Sequence, residues 1–89
     1  MYPGDVERCI GEHRAVRDVG VVGVDGSGRA FVVLHDGGVA SATDIIEHCR
    51  ARLDRRAVPA SIVFVEALPR TSVGKLDRPA LLERALASP

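Results

Sequence analysis

Apolar positions at the start of the chain fall at helical steps. Val6, Cys9, Ile10 and His13 stand three or four residues apart and share one helical face. Pro3 suits the first turn, where a missing N–H costs nothing, and Asp5 and Glu7 complement the positive end of the dipole. From Asp18 to His35 the pattern becomes that of a hairpin. Val19, Val21, Val22 and Val24 form one run and Ala30 to Leu34 the other, with turn chemistry in Asp25-Gly26-Ser27-Gly28 between them. Apolar residues on both faces predict helix cover on one side of the hairpin and a contact surface on the other. Asp36-Gly37-Gly38 reads as a linker. Ser41-Ala42-Thr43-Asp44 reads as a capping box with Asp where Glu is preferred. The second helix is expected to run to about Leu53, with Ala42, Ile45, Ile46, Cys49 and Leu53 inward. Pro59 closes that region, and Ile62-Val63-Phe64-Val65 reads as a buried strand. Asp77 is placed to cap a last helix with Pro79 in its first turn and Leu81, Leu82, Ala85 and Leu86 toward the core. The expected architecture is α+β: a small, mostly antiparallel three-stranded sheet with three flanking helices.

Composition narrows the setting. At 89 residues, 46% hydrophobic and 27% charged, the chain reads as a single small globular domain over residues 1–89. A chain of this size buries a modest share of its surface and is expected to be marginally stable without a partner. Formal net charge is zero, which gives no electrostatic reason to expect nucleic acid or an anionic membrane. Aromatics at 3% leave little for base stacking. No apolar run approaches the length of a membrane span, and no basic-then-apolar signal segment appears. Two cysteines without disulfide-rich spacing fit a reducing, cytoplasmic setting. Cys9 and His13 lie one turn apart and His48-Cys49 lies downstream, which raises zinc. Adjacent helical residues point about 100° apart, however, and none of the usual paired-ligand spacings is present. No metal site is expected, because both cysteines hold apolar-face positions where Cys behaves as a small hydrophobe.

The stretch that carries chemistry is Leu68-Pro69-Arg70-Thr71-Ser72-Val73-Gly74-Lys75-Leu76-Asp77-Arg78. It offers cations, hydroxyls and a glycine, with no acid before Asp77, between an apolar run and a helical pattern. Exposed loops of that make-up carry function more often than packing. A solvated turn with a surface lysine accounts for the same composition. The phosphate-loop motif does not fit: Pro69 stands at its first glycine and Leu76 follows Lys75 where a Ser or Thr is required. Nor is Gly26-Ser27-Gly28-Arg29-Ala30-Phe31 a dinucleotide fingerprint, since Phe31 replaces the third glycine.

Pro69-Arg70-Thr71-Ser72-Val73-Gly74-Lys75 with Asp77-Arg78 resembles the P-R-T-x-x-G-K-x-x-R signature near the C-terminus of adenylate-forming (AMP-binding) enzymes. These are the acyl- and aryl-CoA synthetases, the luciferases and the adenylation domains of peptide synthetases. The resemblance spans nearly the whole chain. Tyr2-Pro3-Gly4-Asp5-Val6-Glu7 is similar to the family's Y-P-x-E-V-E opening, and His13, Val16 and Asp18 to its H-P-x-V-x-D, with Arg14 replacing the Pro. Val21 to Val24 and Ala30 to Leu34 resemble its paired strands; Cys49-Arg50, Leu53, Val58-Pro59, Phe64-Val65 and Leu68-Pro69 keep the register. Val73 departs from the usual Ser or Asn, and the connection between the paired strands is shorter than the family's and lacks its W-G-E.

The resemblance implies the mobile C-terminal domain, or lid, of such an enzyme, closest to the acyl- and aryl-CoA synthetases. It implies that Lys75, the only lysine in the chain, bridges the carboxylate and adenylate oxygens as the acyl-adenylate forms. The domain then rotates, withdrawing Lys75 and presenting another face for thioester formation. Pro69, Arg70, Thr71, Ser72, Gly74 and Arg78 are implied as loop-supporting, with Gly74 leaving room for Lys75 and Arg78 pairing with a carboxylate of the large domain. Implied cofactors are ATP and magnesium, bound mainly by the large N-terminal domain absent from this chain, and coenzyme A as co-substrate. The implied partners are that large domain, fused or as a separate subunit, coenzyme A or a carrier protein, and a lysine acetyltransferase acting on Lys75. Acetylation there would remove the charge. The run Arg50, Arg52, Arg55 and Arg56 beside Asp54 reads as a solvated face, with a coenzyme A phosphate or an acidic carrier protein as the alternative. The isolated chain is expected to be inactive. Two other readings stay open: an adenylation-domain lid serving a carrier protein, and a stand-alone, non-catalytic interaction module of the same fold.

Overall fold

The two hydrophobic periods become three helices and three strands in the computed structural model, which describes residues 2–87. In chain order these are α1 (Pro3–Gly11), β1 (Val16–Val24), β2 (Ser27–Leu34), α2 (Ala42–Arg50), a 3-10 turn (Arg55–Ala57), β3 (Ser61–Phe64) and α3 (Arg78–Ala87). The sheet has the order β1-β2-β3 and is the expected α+β arrangement. β1 and β2 pair antiparallel over most of their length, whereas β3 runs parallel to β2 from Arg29↔Ser61 to Val32↔Phe64. A parallel neighbour needs a crossover, and α2 supplies it.

The hairpin turn is tighter than the four residues expected, because Ser27 and Gly28 already pair with Val24 and Gly23. Only Asp25 and Gly26 remain in the turn, with φ of 51° and 80°. Two left-handed residues match the right-handed twist of the strands they join. At the other end of the hairpin the register slips between Val16 and Asp18. The extra residue rephases the strand, so that Val16, Val19 and Val21 all meet the same core.

That core lies under α1 and α2, where Val6, Cys9, Ile10, Ile45 and Cys49 pack on Val21, Ala30 and Val32. The opposite face is not left as a contact surface. Leu81 and Ala85 of α3, together with Leu68, cover Val22, Phe31 and Val33 there. The Arg29 guanidinium also crosses from β2 to the Ala85 carbonyl at 2.6 Å. Leu82 and Leu86 do not join the core: they are 37% and 65% exposed, and Leu81 and Ala85 are the residues α3 buries. β3 is a short edge strand rather than a buried one, with Phe64 39% exposed. α2 ends at Arg50, before the expected Leu53, where the chain tightens into the 3-10 turn capped by Asp54 Oδ1 accepting from the Arg56 N–H.

The capping box at α2 forms as expected. Ser41 Oγ accepts from the Asp44 N–H at 3.1 Å and Asp44 Oδ2 accepts from the Ser41 N–H at 2.9 Å. Those Ser41 bonds, backbone first, hold the Asp44 carboxyl below the usual aspartate range. The cap is therefore complete above that range and is lost as pH falls through the lowered native value. Ser41→Ala is expected to cost about 1 kcal/mol in urea denaturation.

Cys9 and Cys49 are 5% and 0% exposed in the same core. Burial, with the neighbouring Cys9 thiol, pushes Cys49 up to about 12; burial also raises Cys9. Neither thiol is a nucleophile in the native fold. A thiol reagent at pH 8 is expected to label both only at the rate of unfolding, measured against the same reagent in denaturant. The nearby histidines are engaged as well: His48 Nε2 donates to the Cys9 carbonyl at 2.7 Å and His13 Nδ1 accepts from the Ala15 N–H at 3.1 Å. Among the described residues, no three His, Cys, Asp or Glu side chains are grouped to hold a metal. Nor is any helix of them long and apolar enough to cross a membrane.

Candidate functional site

The stretch singled out above folds as a small hairpin of its own on the α3 side of the sheet. Arg70 and Leu76 form an antiparallel bridge, and the Thr71 N–H donates to the Lys75 carbonyl at 2.7 Å. Three residues, Ser72, Val73 and Gly74, make the tip. The Gly74 N–H closes it onto the Thr71 carbonyl at 2.9 Å. Gly74 has φ of 86°, the left-handed position such a three-residue loop requires. Thr71 adds a side-chain bond, its Oγ1 accepting from the Lys75 N–H at 3.2 Å. At the base the Asp77 N–H donates to the Pro69 carbonyl at 3.0 Å, and Asp77 Oδ1 caps α3 through the Ala80 N–H at 3.1 Å.

Apolar contacts seat this hairpin from both sides. Leu68 is buried in the core under α3, and Leu76 packs against the same cluster. Gly20 of β1 permits that approach: a Cβ there would meet Leu81 Cδ2 at 2.8 Å and Leu76 Cδ2 at 3.1 Å.

Ion pairs then fix the two ends. The Arg70 guanidinium pairs with Asp18 of β1. Arg78 reaches Glu7 of α1 with two bonds, at 2.8 and 2.7 Å, and donates to the Val21 carbonyl at 3.1 Å. Glu7 Oε2 accepts from the Val21 N–H at 2.8 Å. β1 is an edge strand, so Glu7 and Arg78 together satisfy the outward N–H and carbonyl of Val21 that an edge otherwise leaves open. The Glu7 bond raises the Arg78 pKa above its ordinary value.

The predicted residues are thus brought together with distinct parts. Pro69 and Thr71 hold the hairpin through hydrogen bonds, Gly74 turns its tip, and Arg70 and Arg78 anchor its flanks. Ser72 lies exposed at the tip. Within this domain Arg78 is paired with Glu7. Lys75 is exposed beside the tip, and among the described residues its ammonium makes no ion pair. Glu7 and Asp18 are the two site residues that sequence reasoning missed as such; their only signal was a place in the Y-P and H-P resemblances. The basic run does not join this site. Arg50, the last residue of α2, pairs with Glu47 at 2.8 Å, and Arg52, in the turn that follows, donates to the His48 carbonyl at 3.0 Å.

Known proteins share this chain's sequence and fold. A long-chain-fatty-acid–CoA ligase of Bacillus subtilis is 40% identical over 88 residues, 93% of this chain and 16% of that protein. An isonitrile lipopeptide synthase of Streptomyces coeruleorubidus is 40% identical over 89 residues, 96% of this chain and 6% of that protein. The solved fatty acyl CoA synthetase of Mycobacterium tuberculosis superposes with a TM-score of 0.88 at 32% identity, covering 98% of this chain and 18% of that one. This chain therefore spans a small fraction of the length of its relatives. Residues 5–75, which end on the exposed lysine, match the family described as AMP-binding enzyme C-terminal domain, and the chain belongs to that family.

Proposed function

We propose that this chain is the mobile C-terminal domain of an ATP-dependent acyl- or aryl-CoA ligase, with Lys75 its catalytic contribution. One observation carries the reading: the only lysine sits exposed beside the tip of a hairpin braced from β1 and α1, and among the described residues its ammonium makes no ion pair. Forming an acyl-adenylate brings a carboxylate up to the α-phosphate of ATP and adds charge to the departing pyrophosphate. A preorganised ammonium offsets that charge in a dry cleft and does far less in open water. Closure of this domain onto a large domain holding ATP, magnesium and the acid is then part of the chemistry. Reopening in a different orientation frees the adenylate for attack by the coenzyme A thiol. Lys75 is also the natural target for a lysine acetyltransferase, since acetylation removes the one charge the reaction uses.

The test joins this chain to the large domain of the Bacillus subtilis relative and measures acid-dependent exchange of pyrophosphate into ATP. Exchange well above that of the large domain alone is expected; equal rates would overturn the reading. The identity to the lipopeptide synthase, as high as that to the CoA ligase, supports a second reading in which the acceptor thiol belongs to a carrier protein. Supplying the fused enzyme with either acceptor separates the two.

A further inference from the structure

We infer that Glu7 and Asp18 are positioning residues for Lys75, acting through Arg78 and Arg70. The inference rests on the proposed role of Lys75 and deepens it. Both carboxylates come from the first half of the chain, and each holds an arginine flanking the hairpin, five residues before Lys75 and three after it. A hairpin anchored at one flank pivots about that anchor; anchors at both flanks remove the pivot. The ordering is then complete before the domain closes, so closure need not supply it.

The two clasps differ in kind. Glu7–Arg78 is the more enclosed, with the Glu7 side chain 15% exposed and both groups tied to the Val21 backbone, so it also supports the fold. Arg70–Asp18 is a single contact with its side chains 42% and 33% exposed. Such pairs add little to overall stability. Its removal should therefore loosen the hairpin while the sheet and helices stay as they are. Asp18 is the cleaner of the two to test.

The first measurement is amide hydrogen exchange on the 89-residue chain, comparing wild type with Asp18→Asn, Arg70→Asp and the charge-swapped pair Asp18→Arg with Arg70→Asp. The N–H groups of Gly74, Lys75 and Asp77 are expected to exchange about tenfold faster in either single variant, with the β1–β2 ladder unchanged. The swapped pair should recover much of the protection. Exchange at those three amides unchanged from wild type, or acceleration spread evenly over the ladder, would overturn the inference.

The second measurement uses the fused enzyme. Asp18→Asn and Glu7→Gln are expected to lower kcat for adenylate formation about tenfold to a hundredfold, with KM for ATP little changed. Thioester formation from supplied acyl-adenylate should continue at the wild-type rate. Glu7→Asp should restore part of the loss, because the carboxylate remains. Lys75→Ala in the same enzyme separates the two failures. If it leaves adenylation intact, the parent reading falls. If it abolishes adenylation while Asp18→Asn behaves as wild type, only the positioning role falls.

Discussion

Lys75→Ala, in an enzyme that carries this domain, is expected to slow acyl-adenylate formation about 10²–10³-fold. That is the cost of removing one preorganised donor from a developing anion, about 3–4 kcal/mol of barrier. The loss should fall on kcat, because in the proposed enzyme the large domain holds ATP and the acid and the ammonium matters most as charge builds. Thioester formation from supplied adenylate should be spared. The asymmetry follows from where the lysine sits, exposed on a hairpin. On the proposed reading its field is screened until closure excludes water, and it contributes nothing once the domain has turned away. Lys75→Arg should not restore the rate. A guanidinium keeps the charge but spreads it over a wider, planar fork that cannot place it where the compact ammonium stands. Adenylation at an undiminished rate in Lys75→Ala would leave the fold standing and make this a non-catalytic interaction module.

What the sequence disclosed and what it hid divide along the distance between partners. The Ser41–Asp44 box and the Asp77 cap are decided within four residues, and both are as read. The Asp25-Gly26 turn was legible as a turn, though its length was set by how far the strands zip together, which no local rule fixes. The clasps were invisible for the opposite reason. Asp18 and Arg70 are 52 residues apart, and Glu7 and Arg78 are 71 apart. Nothing local distinguishes those carboxylates from others on a solvated face. Glu7 in particular read as a dipole partner in the first helix, yet it closes the edge of β1. Burial on α3 misled for a related reason. Leu81, Leu82, Ala85 and Leu86 form a helical stripe wide enough for two neighbours, but only one sheet face is offered, and half of the stripe meets solvent. The same sheet face was expected to serve a partner, because its cover lies near the end of the chain, far from the strands it protects. The lysine loop is the instructive case between these extremes. Its chemistry and turn residues were local and readable, whereas the carboxylates that pair with its flanking arginines precede it by most of the chain.

The exposure pattern on α3 makes a stability prediction with a built-in contrast. Leu81→Ala is expected to cost about 2–5 kcal/mol, since the side chain is fully buried and its loss leaves a cavity against Gly20, Leu76 and the β1–β2 face. Domains of this kind hold only about 5–15 kcal/mol in all. The variant should therefore unfold at a much lower urea midpoint, with a measurable unfolded fraction near physiological temperature. Leu86→Ala removes the same atoms from the same helix where the side chain is 65% exposed, and should change stability by about 0.5 kcal/mol or less. The difference between the two variants isolates packing from helix propensity, because the gain of alanine in a helix is common to both. Equal costs for the two would mean that α3 does not dock by Leu81, and the Leu76 side of the lysine hairpin would lose its seat with it. A large cost for Leu81→Ala alone would place the support of that hairpin in the core under α3, where Leu81 and Leu76 converge on Gly20 of β1.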